Sequence, residues 1–408
     1  MDANLGNGLS AKCVITPRLK CKSKKKELSQ SLQGSKKKYV SKVIKKPQKA
    51  DSERYEYEMY YRELLISNRI IEGAKKKKYT PEWLDSRFAM IRQICEFDNV
   101  VNKDRKLEGC GLKNDENYLL LFSVNGGCKP GELEKGDTLS FKDKIGNLIT
   151  GLVQTVNKDD YVVYVKQLNK TTIIKRESVI KSCGALNKDS VLKDFLSNVK
   201  DVKMRFKYML ESLQFLHTLG IAHLDIKRDN LVCDSSGVIR FIDFGASLSL
   251  KNDDFFTEIC KEMRNDKNKK FPKSFKEKLL EKIAVHTPGY VSPEFQLCSD
   301  ILALKRLDAQ YLYERIEEKG NVTLEKSDKD FLLTLVRHEK NLIIDMFCEQ
   351  STKLLLSDIF SLGTCFKKIL KDSKINDKGL NDLVSKMRNP IYTLRPTAKD
   401  CLNHKSLR

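Results

Sequence analysis

The chain has 408 residues, 40% of them hydrophobic and 32% charged, with a formal net charge of +21. Such a chain can bury a sizeable core, in two or three domains or in one large enzyme of two halves. No run approaches the roughly 18 apolar residues that span a bilayer. The opening MDANLGNGLS also lacks the charged and apolar regions of a signal peptide, so an intracellular protein, cytoplasmic or nuclear, is expected. Twelve cysteines stand singly between Cys13 and Cys401, with no CxxC pair and five histidines beside them. They are expected to be reduced, mostly buried thiols rather than metal ligands.

The first fifty residues hold fourteen Lys and Arg against Asp2 and Glu27, a local net charge of +12. Basic runs there (KCKSKKK from Lys20, SKKK from Ser35) and AKKKK from Ala74 could draw the protein to nucleic acid, to acidic substrates or to an anionic membrane surface. Solvated loops are the simpler reading. Residues 135 to 181 differ from their surroundings. GDTLSF, LITGLVQTV, YVVYVKQ, TTIIK and SVI are β-rich runs separated by KDKIGN, NKDD and LNK, all turn-like. Five short strands predict either a small barrel, resembling SH3-like or Tudor-like modules, or an irregular extension of a larger sheet.

From Val202 the apolar positions Val202, Phe206, Met209, Leu213 and Leu216 form one stripe of an amphipathic helix, which Gly220 ends. IAHLDIKRDNLV, the turn CDSSG and VIRFIDFG follow, which places the polar residues of HLDIKRDN on a loop between a helix and a hairpin. Arg264 to Lys282 holds eight basic residues against Asp266, Glu277 and Glu281 and reads as an inserted loop. Phe295 to Leu356 is long, charged and helical in pattern.

An ordered series of motifs resembles the eukaryotic-type protein kinase superfamily. It comprises LGNGLSAKCV at 5, YVSKVIKK at 39, YLLLFSVNGG at 118, HLDIKRDN at 223, DFG at 243, HTPGYVSPE at 286, SDIFSLG at 357 and LRPT at 394. The resemblance implies an α+β, bilobal kinase fold. A β-rich N-lobe would cover 1–127, a β module inserted after the hinge 128–183, and a mainly helical C-lobe 184–408, with a helical insertion at about 296–356. It further implies ATP as phosphoryl donor with Mg²⁺, or Mn²⁺ in its place, and protein substrates, acidic ones and nucleic acid being further partners suggested by the basic runs.

Phosphoryl transfer leaves little covalent work to the protein, so a site must align the two oxygens and neutralise the charge that spreads over the phosphate. By resemblance, Asp243 chelates Mg²⁺ and Asn230 offers an amide oxygen to a second ion. Asp225 would accept or orient the substrate hydroxyl proton. Lys227 would reach the transferring phosphate, which looks more like a serine/threonine than a tyrosine kinase, and His223 would be structural. Leu5, Gly6, Gly8, Ala11 and Cys13 would cover the phosphates, with Ala11 less tolerant of close backbone approach than glycine. The stretch from Gly6 to Lys42 is long for such a loop.

Lys42 is selected as the ATP-anchoring lysine, with Lys45 as fallback, and Glu63 as its partner, with Glu58 as the alternative. Leu121 would be the gatekeeper and Phe122 to Val124 the adenine-binding backbone, the rival hinge being YVVYVKQ near Lys166. Thr287 would bond Asp225 and Lys227, Glu294 would pair with Arg395, and Asp358 would accept amides of the catalytic loop. Leu224 stands where such loops often carry a phosphate-binding arginine. The competing readings are a pseudokinase or scaffold and a nucleic-acid-binding protein acting through the basic N-terminus and β module.

Overall fold

The computed structural model describes residues 3–4, 13–16, 26–27, 39–45, 52–98, 117–124, 133, 135, 138–143, 148–180, 182–250, 279, 287, 289–303, 313–314, 317, 323–337, 342, 346–347 and 353–408. They fall into two compact units.

The first unit comprises residues 1–67, 77–197 and 231–242. Its main sheet joins β1 (Ala3–Asn4), β2 (Cys13–Thr16), β3 (Lys26–Glu27), β4 (Tyr39–Lys45), β5 (Ile91–Asp98) and β6 (Asn117–Val124) in the order β1-β2-β4-β6-β5-β3. The pairings are antiparallel, and β4 meets β6 with Lys42 opposite Leu121. Tyr39, Val40, Ser41, Val43 and Ile44 are all buried, so this central strand is covered on both faces, as its β-branched run favours. The helix α1 (Ser52–Lys76) supplies Leu64 to the same core, beside Ile44, Ile91, Ile94, Leu119 and Leu121. Only its part up to Ser67 belongs to this unit. Pro81 opens α2 (Pro81–Arg87), and the Thr80 hydroxyl accepts the Trp83 amide at 3.2 Å, a proline-and-cap start that satisfies a helix's unpaired first amides.

The β-rich stretch forms a sheet of its own: β7 (Thr138–Lys142), β8 (Leu148–Val156), β9 (Asp160–Val165) and β10 (Lys170–Lys175), in the order β10-β9-β8-β7. Alternation in DYVVYV turns Tyr161, Val163 and Val165 inward onto Leu139, Phe141, Val153, Ile174 and Val179. The expected fifth strand, SVI, contributes an isolated bridge from Val179 to Phe141. Gly151 is required here, since a Cβ on it would lie 2.3 Å from Val163 Cγ1. The unit also holds β11 (Gly184–Ala185), α3 (Asp189–Phe195), β13 (Leu231–Cys233) and β14 (Ile239–Phe241), the three strands pairing as β11-β13-β14.

The second unit comprises residues 68–76, 198–230 and 243–408. The predicted stripe is the buried face of α4 (Val199–Thr218), where Val202, Phe206, Met209, Leu213 and Leu216 are fully buried. Asn198 caps this helix at the Asp201 amide, and Gly220, with φ of 71°, turns the chain out of it. The strands β12 (Ile221–Ala222) and β15 (Leu248–Ser249) pair on either side of the polar loop. Five further described helices complete the unit: α5 (Pro293–Ala303), α6 (Lys326–Arg337), α7 (Lys353–Asp372), α8 (Lys378–Met387) and α9 (Ala398–Leu402). Phe206 stacks on Phe366 of α7 with centroids 3.5 Å apart. Gly363 lets α8 approach, because a Cβ there would sit 2.7 Å from Met387 Cβ.

Burial pushes the free thiols of Cys298, Cys365 and Cys401 upward, Cys401 to about 12, so they are protonated core residues. Cys95 and Cys183 are disulfide-bonded, which corrects the expectation of reduced cysteines throughout. Singly spaced cysteines carry no pairing signal, and proximity is decided by the fold.

Glu294 and Arg395 are fully buried and paired, Nη1 to Oε1 at 2.8 Å and Nη2 to Oε2 at 3.0 Å, with Ser357 Oγ donating to Glu294 Oε1 at 3.1 Å. Removing one partner leaves an uncompensated charge in the core. Arg395→Ala is expected to lose about 3–5 kcal/mol of stability, read as a fall in the urea midpoint, and Glu294→Gln a smaller part of it.

Candidate active site

HLDIKRDN leaves β12, crosses to a single 3₁₀ turn at Arg228–Asn230 and enters β13. The polar residues are brought together around one carboxylate. Asp225 accepts the Thr287 hydroxyl on Oδ1 at 2.6 Å and the Asn230 amide on Oδ2 at 2.8 Å, and Lys227 Nζ lies 2.9 Å from Oδ2. Lys227 also donates to Thr287 Oγ1 at 2.9 Å, closing the network across 60 residues of sequence. Asn230 spends its amide nitrogen twice on Asp225, on the carboxylate and on the main-chain oxygen at 2.9 Å. Both are acceptors, so the Asn230 amide oxygen is the atom left to meet a cation or donor.

The loop is held from behind. Asp358, fully buried at the first turns of α7, accepts the amides of His223 and Leu224, both at 2.8 Å, and lies 3.1 Å from His217 Nε2. Leu224 adopts φ of 63°, an orientation that costs a branched side chain roughly 1–3 kcal/mol. The two charge-assisted amide bonds offset that strain. His223 is buried against Phe244, with ring centroids 4.9 Å apart, and takes the structural position expected of it. Asp243 has φ of 63° as well, and its Oδ1 accepts the Gly245 amide at 3.4 Å. Leu224 is 7% exposed and belongs to an apolar cluster with Leu248, Leu279, Val291 and Phe295.

In the first unit, Lys42 Nζ lies 3.3 Å from Glu63 Oε1, with the Glu63 side chain 1% exposed. The β4–β6 register sets Leu121, fully buried, opposite Lys42. The β2–β4 register sets Cys13 opposite Val43. Phe122 and Val124 continue β6 and pair with Ser41 and Tyr39. YVVYV is instead β9 of the separate sheet. Leu5, Gly6, Gly8, Ala11 and the basic insert at 264–282, apart from Leu279, lie outside the described residues. Sequence reasoning did not find His217 as the third partner of Asp358, or Ser357 as a donor to Glu294. No spacing rule links His217 to a residue 141 positions away.

Residues 147–300 match the family model of the protein kinase domain. That stretch contains Asp225, Lys227, Asn230, Asp243 and Thr287, whereas Lys42 and Glu63 lie before it. Among similar curated proteins is the dual specificity protein kinase zak2 of Dictyostelium discoideum, 30% identical over 132 residues, covering 28% of this chain and 20% of that protein. Serine/threonine-protein kinase 17A of Oryctolagus cuniculus is 39% identical over 70 residues, covering 16% of this chain and 18% of that protein. Serine/threonine-protein kinase oca2 of Schizosaccharomyces pombe is 46% identical over 46 residues, 11% and 7% of the two chains. The aligned stretches thus span a fifth or less of these relatives' own lengths.

A protein kinase domain with a β-sheet half and a mainly helical half defines an α+β kinase fold. Over residues 147–300 the chain is thus similar to protein kinase domains of the eukaryotic type.

Replacing Asp358 by alanine strips the acceptor from two buried amides. The expected loss is about 2 kcal/mol or more in chemical denaturation, with slowed transfer even where the variant remains folded.

Proposed function

We propose that this chain is an ATP-dependent protein kinase acting on serine and threonine. The observation that carries the reading is the closed Asp225–Lys227–Asn230–Thr287 network. A substrate hydroxyl approaching Asp225 gives its proton to the carboxylate while its oxygen forms the new bond to the γ-phosphorus. The bond to the bridging oxygen breaks, and ADP leaves with that electron pair. Lys227 supplies positive charge to the phosphoryl oxygens. Thr287, bonded to both residues, favours the serine/threonine class by resemblance.

The donor set fits Mg²⁺. Asp243 offers a carboxylate and Asn230 an amide oxygen, both hard oxygen ligands, and the bonds from the Asn230 nitrogen to Asp225 fix which end of the amide is presented. Among the described residues no group of three or more His, Cys, Asp and Glu could hold a metal by itself, so phosphate oxygens would complete the shell. The ion would supply charge neutralisation at the phosphates. Lys42, paired with the buried Glu63, is the candidate phosphate anchor of the first unit. No helix among the described residues is long and apolar enough to cross a membrane.

Phosphate transfer from labelled ATP to a generic protein substrate tests the assignment. Asp225→Asn is expected to lose on the order of 10²–10⁴-fold in rate, and Lys42→Met to fall to background. Equal activity in all three proteins would sink the reading. ATP binding without turnover would support the scaffold alternative, and salt-steep nucleic-acid binding unaffected by Asp225→Asn the third.

Leu224 extends the proposal to regulation. In place of a phosphate-binding arginine the loop has an apolar side chain, clustered with Leu279, the one described residue between positions 250 and 287. Apolar packing would therefore do the work of a charge-assisted latch. Phosphatase-treated enzyme is expected to keep its activity. Inactivity restored by a single phosphate near residues 270–287 would count against this.

A further inference from the structure

Beside the Asp225 network, α7 presents an ammonium to the segment that carries Thr287. Lys368 belongs to the last two turns of α7. Its Nζ lies 3.6 Å from the ring centroid of Tyr290, and a Cβ on Gly289 would stand 3.8 Å from the same atom. The Tyr290 amide donates to the Thr287 carbonyl at 3.2 Å, so one turn of chain joins the ring under the ammonium to the residue that bonds both Asp225 and Lys227. Ser361 of α7 donates from its hydroxyl to the Tyr290 carbonyl at 2.8 Å, which fixes that turn to the helix. The buried Cys365 thiol, one turn before Lys368, feels the charges of Lys368, Arg228, Asp229 and Asp225 together, which places the ammonium close to the reacting carboxylate.

The two cations of this cluster are engaged differently. Arg228, next to Lys227 on the catalytic loop, pairs with Asp372 and donates to Tyr290. Lys368 rests on the Tyr290 ring and forms no ion pair among the described residues. An ammonium carries three N–H donors, and a ring face occupies one side of it. Burial lowers the Lys368 ammonium below the usual lysine range; Cys365 opposes this, and Arg228 reinforces it. A carboxylate brought alongside would favour the charged form, and partial desolvation strengthens the attraction.

We propose that Lys368 selects protein substrates that carry an aspartate or glutamate close to the acceptor hydroxyl, by pairing with that carboxylate at the Tyr290 ring. This rests on the kinase reading and adds to it a class of substrate and the residue that chooses it. An extended peptide advances about 3.3 Å per residue, so a side chain only a few residues from a hydroxyl held at Asp225 can reach Lys368. The rival determinant is Asp229, exposed on the loop itself, which would favour a basic neighbour. Its influence on the Lys368 ammonium ranks below that of Arg228. The sign of the preference therefore tells which of the two side chains a substrate meets.

Two measurements on the full chain keep this inference and the kinase reading apart. Serine peptides on a neutral background, with glutamate, glutamine or lysine at each flanking position in turn, are compared by their rate of phosphate transfer from MgATP at low peptide concentration. The same peptides, fluorescently labelled, are titrated by anisotropy without ATP, so binding is read whether or not transfer occurs. At one or more positions glutamate is expected to exceed glutamine about fivefold, the upper end of what an exposed ion pair provides. Lys368→Glu should reverse the order, lysine peptides then ranking first, and Lys368→Arg should keep it. Each comparison is between peptides on one protein, so a general loss of activity leaves the order readable. Equal ranking of glutamate and glutamine at every position overturns the proposal, as does a glutamate preference that survives Lys368→Glu. A lysine preference that Asp229→Asn removes overturns it too and assigns the selection to Asp229. A glutamate preference in binding without transfer supports Lys368 and counts against the kinase reading alone, and transfer without any preference does the reverse.

Discussion

A single buried carboxylate sets the geometry on which the transfer loop depends. Asp358 has no exposure to solvent and accepts the amides of His223 and Leu224, two residues of a loop more than 130 positions earlier in the chain. An unpaired carboxylate in that position would be costly, and so would two orphaned amides; together they satisfy each other. The bond pair also stabilises the positive φ of Leu224, which in turn aims Asp225. Most of α7 is buried, with Phe366 stacked on Phe206 of α4 and Leu354 and Leu355 in one apolar cluster with Phe295 of α5, and this packing holds the carboxylate in place. Core packing therefore reaches the reacting loop through hydrogen bonds at a few fixed points.

The same economy recurs wherever charge is buried. Arg395 and Glu294 form a two-bond pair with no exposure, and Lys42 meets a Glu63 carboxylate that is almost fully buried. Each isolated charge would be expelled or neutralised, so each pair ties two distant segments into one arrangement. The arrangement at Asp225 differs in kind. Its partners are a lysine, a threonine and an asparagine, and the network leaves the Asn230 amide oxygen uncommitted. A structural ion pair uses up its valences, whereas a site for metal and phosphate must keep one oxygen in hand.

The distribution of basic residues is also informative. The basic character of the chain first appears as lysine runs near the N-terminus, which composition alone assigns to solvated loops or to polyanion binding. A cavity beside Lys367 and Arg388 is quieter in sequence, since its residues come from two helices and two loops. Burial, and then the neighbouring Arg388 and Lys371, lower the Lys367 ammonium below the usual lysine range.

The sequence by itself determined the order of the chemistry: HLDIKRDN, DFG, HTPGYVSPE and LRPT, whose local spacings encode a loop, a turn and the pairing residues. It also determined the α4 stripe and the alternation of β9, because helical and strand periodicities are local properties. It left open whether Glu63 or Glu58 meets Lys42, whether YLLLFSV or YVVYVKQ joins the main sheet, and whether the β-rich stretch extends that sheet. Those are questions of register and long-range burial, and the tertiary structure places Lys42 against Glu63, β6 beside β4, and β7–β10 in a sheet of their own. Only the fold brings His217 to Asp358, places Cys95 and Cys183 where disulfides form, and gathers Lys367 with Arg388. Contacts between residues far apart in the chain are fixed by how the cores pack, and no short spacing records them.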